Sequence, residues 1–146
     1  MATVTLQNFD CLTEYVANAV VNFGSHSFKI VLTNTEPDIG TDAILADITQ
    51  IANSGGYTQG GFPVTITGVS RTGSLTKIII EDKLFTASGG TVDEYQWAVL
   101  YDDSTSSPVD ALVGVIDLGT PRQLPNGDVL SFNFSEANGA IQIDNA

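Results

Sequence analysis

The sequence predicts a mainly β fold: a β-sandwich or jelly-roll-like single domain with one or two short helices packed on it. Three observations carry this expectation. Short apolar runs, many with period-two alternation, recur along the second half of the chain. Turn-forming Gly, Asn and Asp separate them at short intervals. Charged residues make up only 15%, against a usual share of about a quarter, and Thr, Ser, Asn and Gly fill the polar positions instead. At 146 residues, with 42% apolar, the chain forms one domain (1–146) and buries a core without help from disulfides.

Residues 1–9 read as a first strand or N-terminal arm, with Val4, Leu6 and Phe9 apolar. Asp10 then stands as a helix N-cap, because its carboxylate can accept from the free amides of a first turn. Leu12, Tyr15, Val16, Ala19, Val20 and Phe23 fall on one helical stripe, with Gly24 as C-cap. Phe28 to Thr33 is a strand. Asn34 to Asp42 is a loop, punctuated by Pro37 and Gly40. Thr41 to Ile51 places Ile44, Leu45, Ile48 and Ile51 on a helical face, so a second short helix is expected there, with a strand as the alternative.

Strands follow one another from there. Phe62 to Val69 carries Val64 and Ile66 on one face, and Gly68 interrupts that face as a bulge would. Arg71 to Ser74 turns, and Leu75 to Glu81 returns as a hairpin. In Val92 to Tyr101 the residues Tyr95, Trp97, Val99 and Tyr101 share one face. Asp102 to Pro108 reads as a polar loop. Ala111 to Leu118 is apolar on both faces, the pattern of a strand buried between two layers. Leu130, Phe132 and Phe134 alternate with polar residues, and Ala140 to Ile143 closes the chain. The total is roughly seven to nine short strands, which favours a sandwich or jelly roll.

Charge narrows the function classes. Five basic residues stand against 17 acidic ones, a formal net charge of −12. A nucleic-acid binder neutralises phosphates with Lys and Arg, so neither nucleic acid nor an anionic membrane surface is an expected partner. Trp97 to Tyr101 is the longest uninterrupted apolar run, far short of the roughly 20 residues of a membrane span. Met1 to Phe9 has neither a basic residue nor an apolar h-region, so it does not read as a signal peptide, and synthesis in a host cytoplasm is expected.

The residues needed for chemistry are sparse. Cys11 and His26 are the single cysteine and histidine, too few for a zinc site built on such ligands. Gly24-Ser25-His26-Ser27 is unlike a nucleophile elbow, so His26 is expected in a helix-to-strand turn and Cys11 as a small, partly buried side chain. Adjacent acid pairs such as Asp102-Asp103 point to opposite faces of a strand and suit a glycosidase poorly. The Glu36, Asp38, Asp42 loop offers carboxylates for calcium but lacks EF-hand spacing. The Gly-Gly pairs at 55–56, 60–61 and 89–90 are explained by turn geometry. No catalytic residue, cofactor or metal site is expected. Tyr95, Trp97 and Tyr101 form an aromatic face, more commonly core than a sugar platform.

Two stretches carry a resemblance. One is Ala43-Ile44-Leu45-Ala46-Asp47-Ile48-Thr49-Gln50-Ile51-Ala52, followed by Gly56-Tyr57-Thr58-Gln59-Gly60-Gly61. The other is Phe85-Thr86-Ala87-Ser88-Gly89-Gly90, followed by Tyr95-Gln96-Trp97-Ala98-Val99-Leu100-Tyr101 and continued from Ser107-Pro108 to Gly119. With the opening through Phe28 to Pro37, they resemble small virion structural proteins of tailed bacteriophages. That resemblance implies a part of the head or of the tail and brings no catalytic residues. Compactness and acidity favour the head over a fibre with a long repetitive shaft. The expectation is a capsid decoration (cement) protein on the virion surface, bound to the major capsid protein as a homo-oligomer such as a trimer. The alternative is a tail or fibre component that binds host surface glycans. Val4, Leu6 and Phe9 of the arm are the candidate partner-binding residues, through strand addition to a partner sheet.

Overall fold

A computed structural model describes residues 6–144 and the backbone of Thr3 and Val4. Ala2, Thr5 and the Val4 side chain, all part of the expected arm, lie outside the described residues. The strands are β1 (Thr3–Val4), β2 (Gln7–Asn8), β3 (Phe28–Thr33), β4 (Phe62–Val64), β5 (Ile66–Thr72), β6 (Leu75–Ile80), β7 (Lys83–Thr86), β8 (Val92–Ser106), β9 (Val109–Leu124), β10 (Val129–Phe134) and β11 (Ile141–Asp144). One α-helix, α1 (Cys11–Ala17), and a 3-10 turn over Leu45–Asp47 complete the elements.

The strands form three sheets. The largest has the order β2-β9-β8-β3-β4, and two smaller ones run β1-β10-β7 and β11-β6-β5. The main core cluster takes residues from all three: Ile30 and Leu32 of β3, Leu100 of β8 and Val113 of β9, Ile78 and Ile80 of β6, Phe132 of β10 and Ile141 of β11. The two small sheets therefore serve as the second layer of a mainly β, sandwich-like domain. The chain changes layer at Thr65, between β4 in the large sheet and β5 in a small one. The Thr65 carbonyl accepts from the Glu81 amide at 2.8 Å, which holds that corner.

The outer face of the large sheet is covered as well. Phe9, Val31, Ile48, Val99, Tyr101, Leu112 and Val115 make a second cluster, with Cys11, Ile39, Leu45 and Trp97 packed on it. This is why the expected two-layer burial of Ala111 to Leu118 holds from Ala111 through Ile116; beyond that the strand leaves the core, with Asp117 exposed and Leu118 half-buried.

Several expectations are corrected. The helix stops at Ala17, not near Gly24: Asn18 is its C-cap, and Ala19 turns to a φ of 59°, which ends the helical hydrogen-bond ladder. Asp10 occupies the N-cap position but makes no side-chain cap bond. The second helix is one 3-10 turn, because the Asp47 carboxylate folds back onto the amides of Ala43 and Ile44 (2.9 and 3.2 Å) and Ile48 is already extended. Asp102 to Ser106 is strand, not loop: β8 and β9 pair as one hairpin from Val92↔Leu124 to Ser106↔Val109. The expected bulge at Gly68 is present as a register shift between Ile66 and Gly68. All six glycines of the three Gly-Gly pairs sit at positive φ. Among the described residues, no helix is long and apolar enough to cross a membrane.

Candidate binding surfaces

The arm is docked within the chain. β1 runs parallel to β10, and β2 antiparallel to β9, with Gln7 opposite Val115 and Asn8 opposite Gly114. Leu6 is buried in the main core, and Phe9 is 1% exposed in the second cluster. A Cβ on Gly114 would stand 2.8 Å from Leu6 Cδ2, so the missing side chain at 114 makes the seat for Leu6. Of the three candidate partner-binding residues, Leu6 and Phe9 thus have their apolar surface spent inside the fold. Burial of that surface is why they cannot also form a free sticky arm. Deleting the arm would take Leu6 and Phe9 out of the two clusters they fill, so it is expected to destabilise the fold.

The aromatic face is also corrected. The β8–β9 register slips between Tyr95 and Trp97. Tyr95 consequently turns into the main core with Ala98 and Leu100, while Trp97 joins the outer cluster with Val99 and Tyr101. Tyr95 and Tyr101 are buried, and Trp97 alone of the three keeps part of its ring exposed.

Trp97 borders a pocket of about 410 Å³, lined by Gln7, Glu36, Pro37, Ile39, Trp97, Val115 and Asp117. Its construction follows from strand register. Gln7 sits opposite Val115, and Trp97 opposite Asp117, so three adjacent strands present these four side chains on one face. The loop carrying Glu36 to Ile39 closes one side. Gln7, Glu36 and Asp117 are exposed at the rim. Asp117 Oδ1 accepts from the Gly119 amide at 2.8 Å and from Gln96 Nε2 at 3.3 Å.

A second feature was not legible in the sequence. His26 Nδ1 lies 2.6 Å from Asp102 Oδ2, and Asp102 is fully buried. The other carboxylate oxygen accepts from the Ser104 amide at 2.9 Å. Ser104 Oγ in turn accepts from the Ser27 amide, and the Asp103 amide donates to the Ser27 carbonyl, each at 2.9 Å. The cluster pins the turn before β3 to β8. Beside it, Lys29 Nζ pairs with Asp103 Oδ2 at 3.3 Å. Asp110, in the adjoining β9, has its carboxyl pushed up by partial burial and by Asp103.

The remaining candidates serve local structure. Asp38 Oδ1 accepts from the amides of Gly40 and Thr41, and Asp42 Oδ2 from that of Asp38, so these acids shape their own loop. No group of three or more His, Cys, Asp or Glu placed to hold a metal occurs among the described residues. Cys11 is partly buried, its Sγ 3.9 Å from the carbonyls of Asp42 and Leu112, and burial pushes its thiol up.

The outward face of the β7–β10 pair mixes two exposed apolar side chains with polar ones. Leu84 stands opposite Ser131, and Val129 opposite Thr86, so the four share that face in neighbouring rows. Leu84 is 60% exposed and Val129 48%. Among the described residues, β7 ends its sheet and has β10 as its one neighbour. Comparison with known proteins gives no match to the chain, whether among family models, curated proteins or solved structures.

Proposed function

We propose that the chain is a virion structural protein of a tailed bacteriophage, a decoration protein that binds the assembled head and stabilises it. The reading takes its phage context from the sequence resemblance. The structural observation that supports it is the Leu84–Val129 surface beside the open edge of β7. An edge strand offers unpaired backbone donors and acceptors for strand addition, and the exposed side chains of Leu84 and Val129 beside it add apolar area that a partner would cover. In this reading the edge takes over the contact role first given to the arm, where Leu6 and Phe9 are buried inside the fold. The major capsid protein is the partner in this reading, and copies of the chain around a symmetry axis are the second contact. Repetition over a shell lets each contact be modest, and binding only the assembled lattice stabilises that state by mass action.

The test is antibody-gold labelling of intact virions, paired with co-sedimentation of purified protein and undecorated heads. Label over the head, and binding lost in Leu84→Asp and Val129→Asp with unchanged circular dichroism, is the expected result. Label confined to the tail would overturn it and favour the second reading, a tail component binding host glycans, for which Trp97 is the available ring.

A further inference from the structure

We infer that the Trp97 pocket is a receptor for a single arginine side chain presented by a basic partner protein. The inference goes beyond the head-binding reading and does not depend on it. Its basis is a mismatch in the pocket's own chemistry. The polar groups on the lining side chains are the carboxylates of Glu36 and Asp117, the Gln7 amide and the Trp97 indole N–H. Acceptor oxygens outnumber donors, and no lining residue is basic. The hydroxyls of a neutral sugar can donate to these oxygens, but they leave both negative charges uncompensated. A guanidinium carries five N–H donors and no acceptor, so it is the complementary guest.

The apolar lining fits the same guest. The partly exposed indole of Trp97 lines the pocket, an aromatic partner of the kind a planar cation stacks on, and Pro37, Ile39 and Val115 offer contact to its methylene stem. The cation must come from outside. Lys29 is held by Asp103, Arg71 by the Gly73 carbonyl, Lys77 by the Ala137 carbonyl and Arg122 by the Leu118 carbonyl, while Lys83 lies over the Phe62 ring. None of the five lines the pocket. The net charge of −12 steers basic partners toward the domain as a whole, and the pocket is where one cation can be desolvated against an aromatic ring.

Trp97 is the single tryptophan, so its fluorescence reports on this pocket directly. The test titrates the full chain at low ionic strength with N-acetyl-arginine amide, with N-acetyl-lysine amide and methyl glucoside as comparisons. The expected result is a saturable change in Trp97 emission with the arginine probe that is weaker with lysine and reduced by added salt. Glu36→Gln and Asp117→Asn, both at exposed positions, should each weaken binding by about two- to five-fold, as loss of one exposed ion pair does. A flat titration overturns the proposal. So does a response that both charge-removing variants leave unchanged, or an equal response to methyl glucoside, which would make the pocket a sugar site.

Discussion

The imidazole of His26 and the carboxylate of Asp102 meet at 2.6 Å although 76 positions separate them in the chain. Both oxygens of this buried carboxylate are occupied, one by His26 and one by the Ser104 amide. A buried carboxylate deprived of a partner is costly. His26→Ala should lower stability by about 2 kcal/mol, with water replacing part of the lost contact because the imidazole is 25% exposed. Asp102→Ala should cost about 3 kcal/mol, since it also strands the Ser104 amide. Urea denaturation of both singles and the double variant measures the coupling; additive losses would show that the two side chains do not act as a pair.

Two buried tyrosines make opposite predictions. Tyr101 Oη donates to the Gly60 carbonyl at 2.6 Å, whereas Tyr95 Oη is buried with no hydrogen-bond partner among the described residues. Tyr101→Phe should destabilise by about 1 kcal/mol, while Tyr95→Phe should be neutral or stabilising by up to about 1 kcal/mol. Thermal melts of the two variants side by side decide it, and equal losses would contradict the difference.

Gly61 is the glycine least open to substitution. It lies at a φ of 81°, and a Cβ there would stand 1.9 Å from the Ile30 carbonyl oxygen, where β3 meets β4. Gly61→Ala should cost about 3 kcal/mol or more, from strain and from that clash. Gly60→Ala is the control: its φ is 100°, but nothing stands within 4 Å, so the loss should be about 1–2 kcal/mol. Soluble yield and melting temperature separate the two.

Alkaline pH should unfold the domain through its phenols. Burial pushes Tyr57 up to about 12, although the Leu32 amide donating to its hydroxyl opposes the shift. Tyr101 is pushed up in the same direction by burial, then by Asp103 and Asp110. A folded-state value above the unfolded one gives stability that is complete below about pH 10 and is lost as pH climbs toward about 12. Phenolate absorbance should therefore rise together with unfolding in that window, and Tyr57→Phe should reduce the pH dependence. Phenolate formation with the fold retained would contradict the linkage.

The readable parts of this sequence were those governed by local rules. The Gly68 bulge, the positive-φ glycine pairs and the doubly buried run from Ala111 to Ile116 each follow from a residue type or a run of a few residues. The misread parts depend on where a partner strand sits. Period-two reasoning put Tyr95 and Trp97 on one face, and a slip against β9 turned Tyr95 to the other. Asp102 to Ser106 looked like a loop because its residues are polar, yet they lie in a hairpin and Asp102 is buried against His26. Leu6 and Phe9 were read as partner-binding residues of an arm that adds a strand to another sheet; Gly114 and β9 of the same chain, more than 100 residues away, cover them instead. The pocket was invisible for the same reason, since Gln7, Trp97 and Asp117 meet through strand register and Glu36 reaches them from a loop.

The corner at Thr65 has a mechanical consequence. One stretch of backbone, from Phe62 to Thr72, is hydrogen-bonded first into the large sheet and then into a small one. Sliding one layer over the other would have to break ladder bonds or drag this covalent thread. Side-chain packing alone yields gradually under shear, whereas a shared strand transmits load from sheet to sheet and gives way only when its ladder opens. A domain wedged between subunits that pull in different directions would resist most stiffly along that strand.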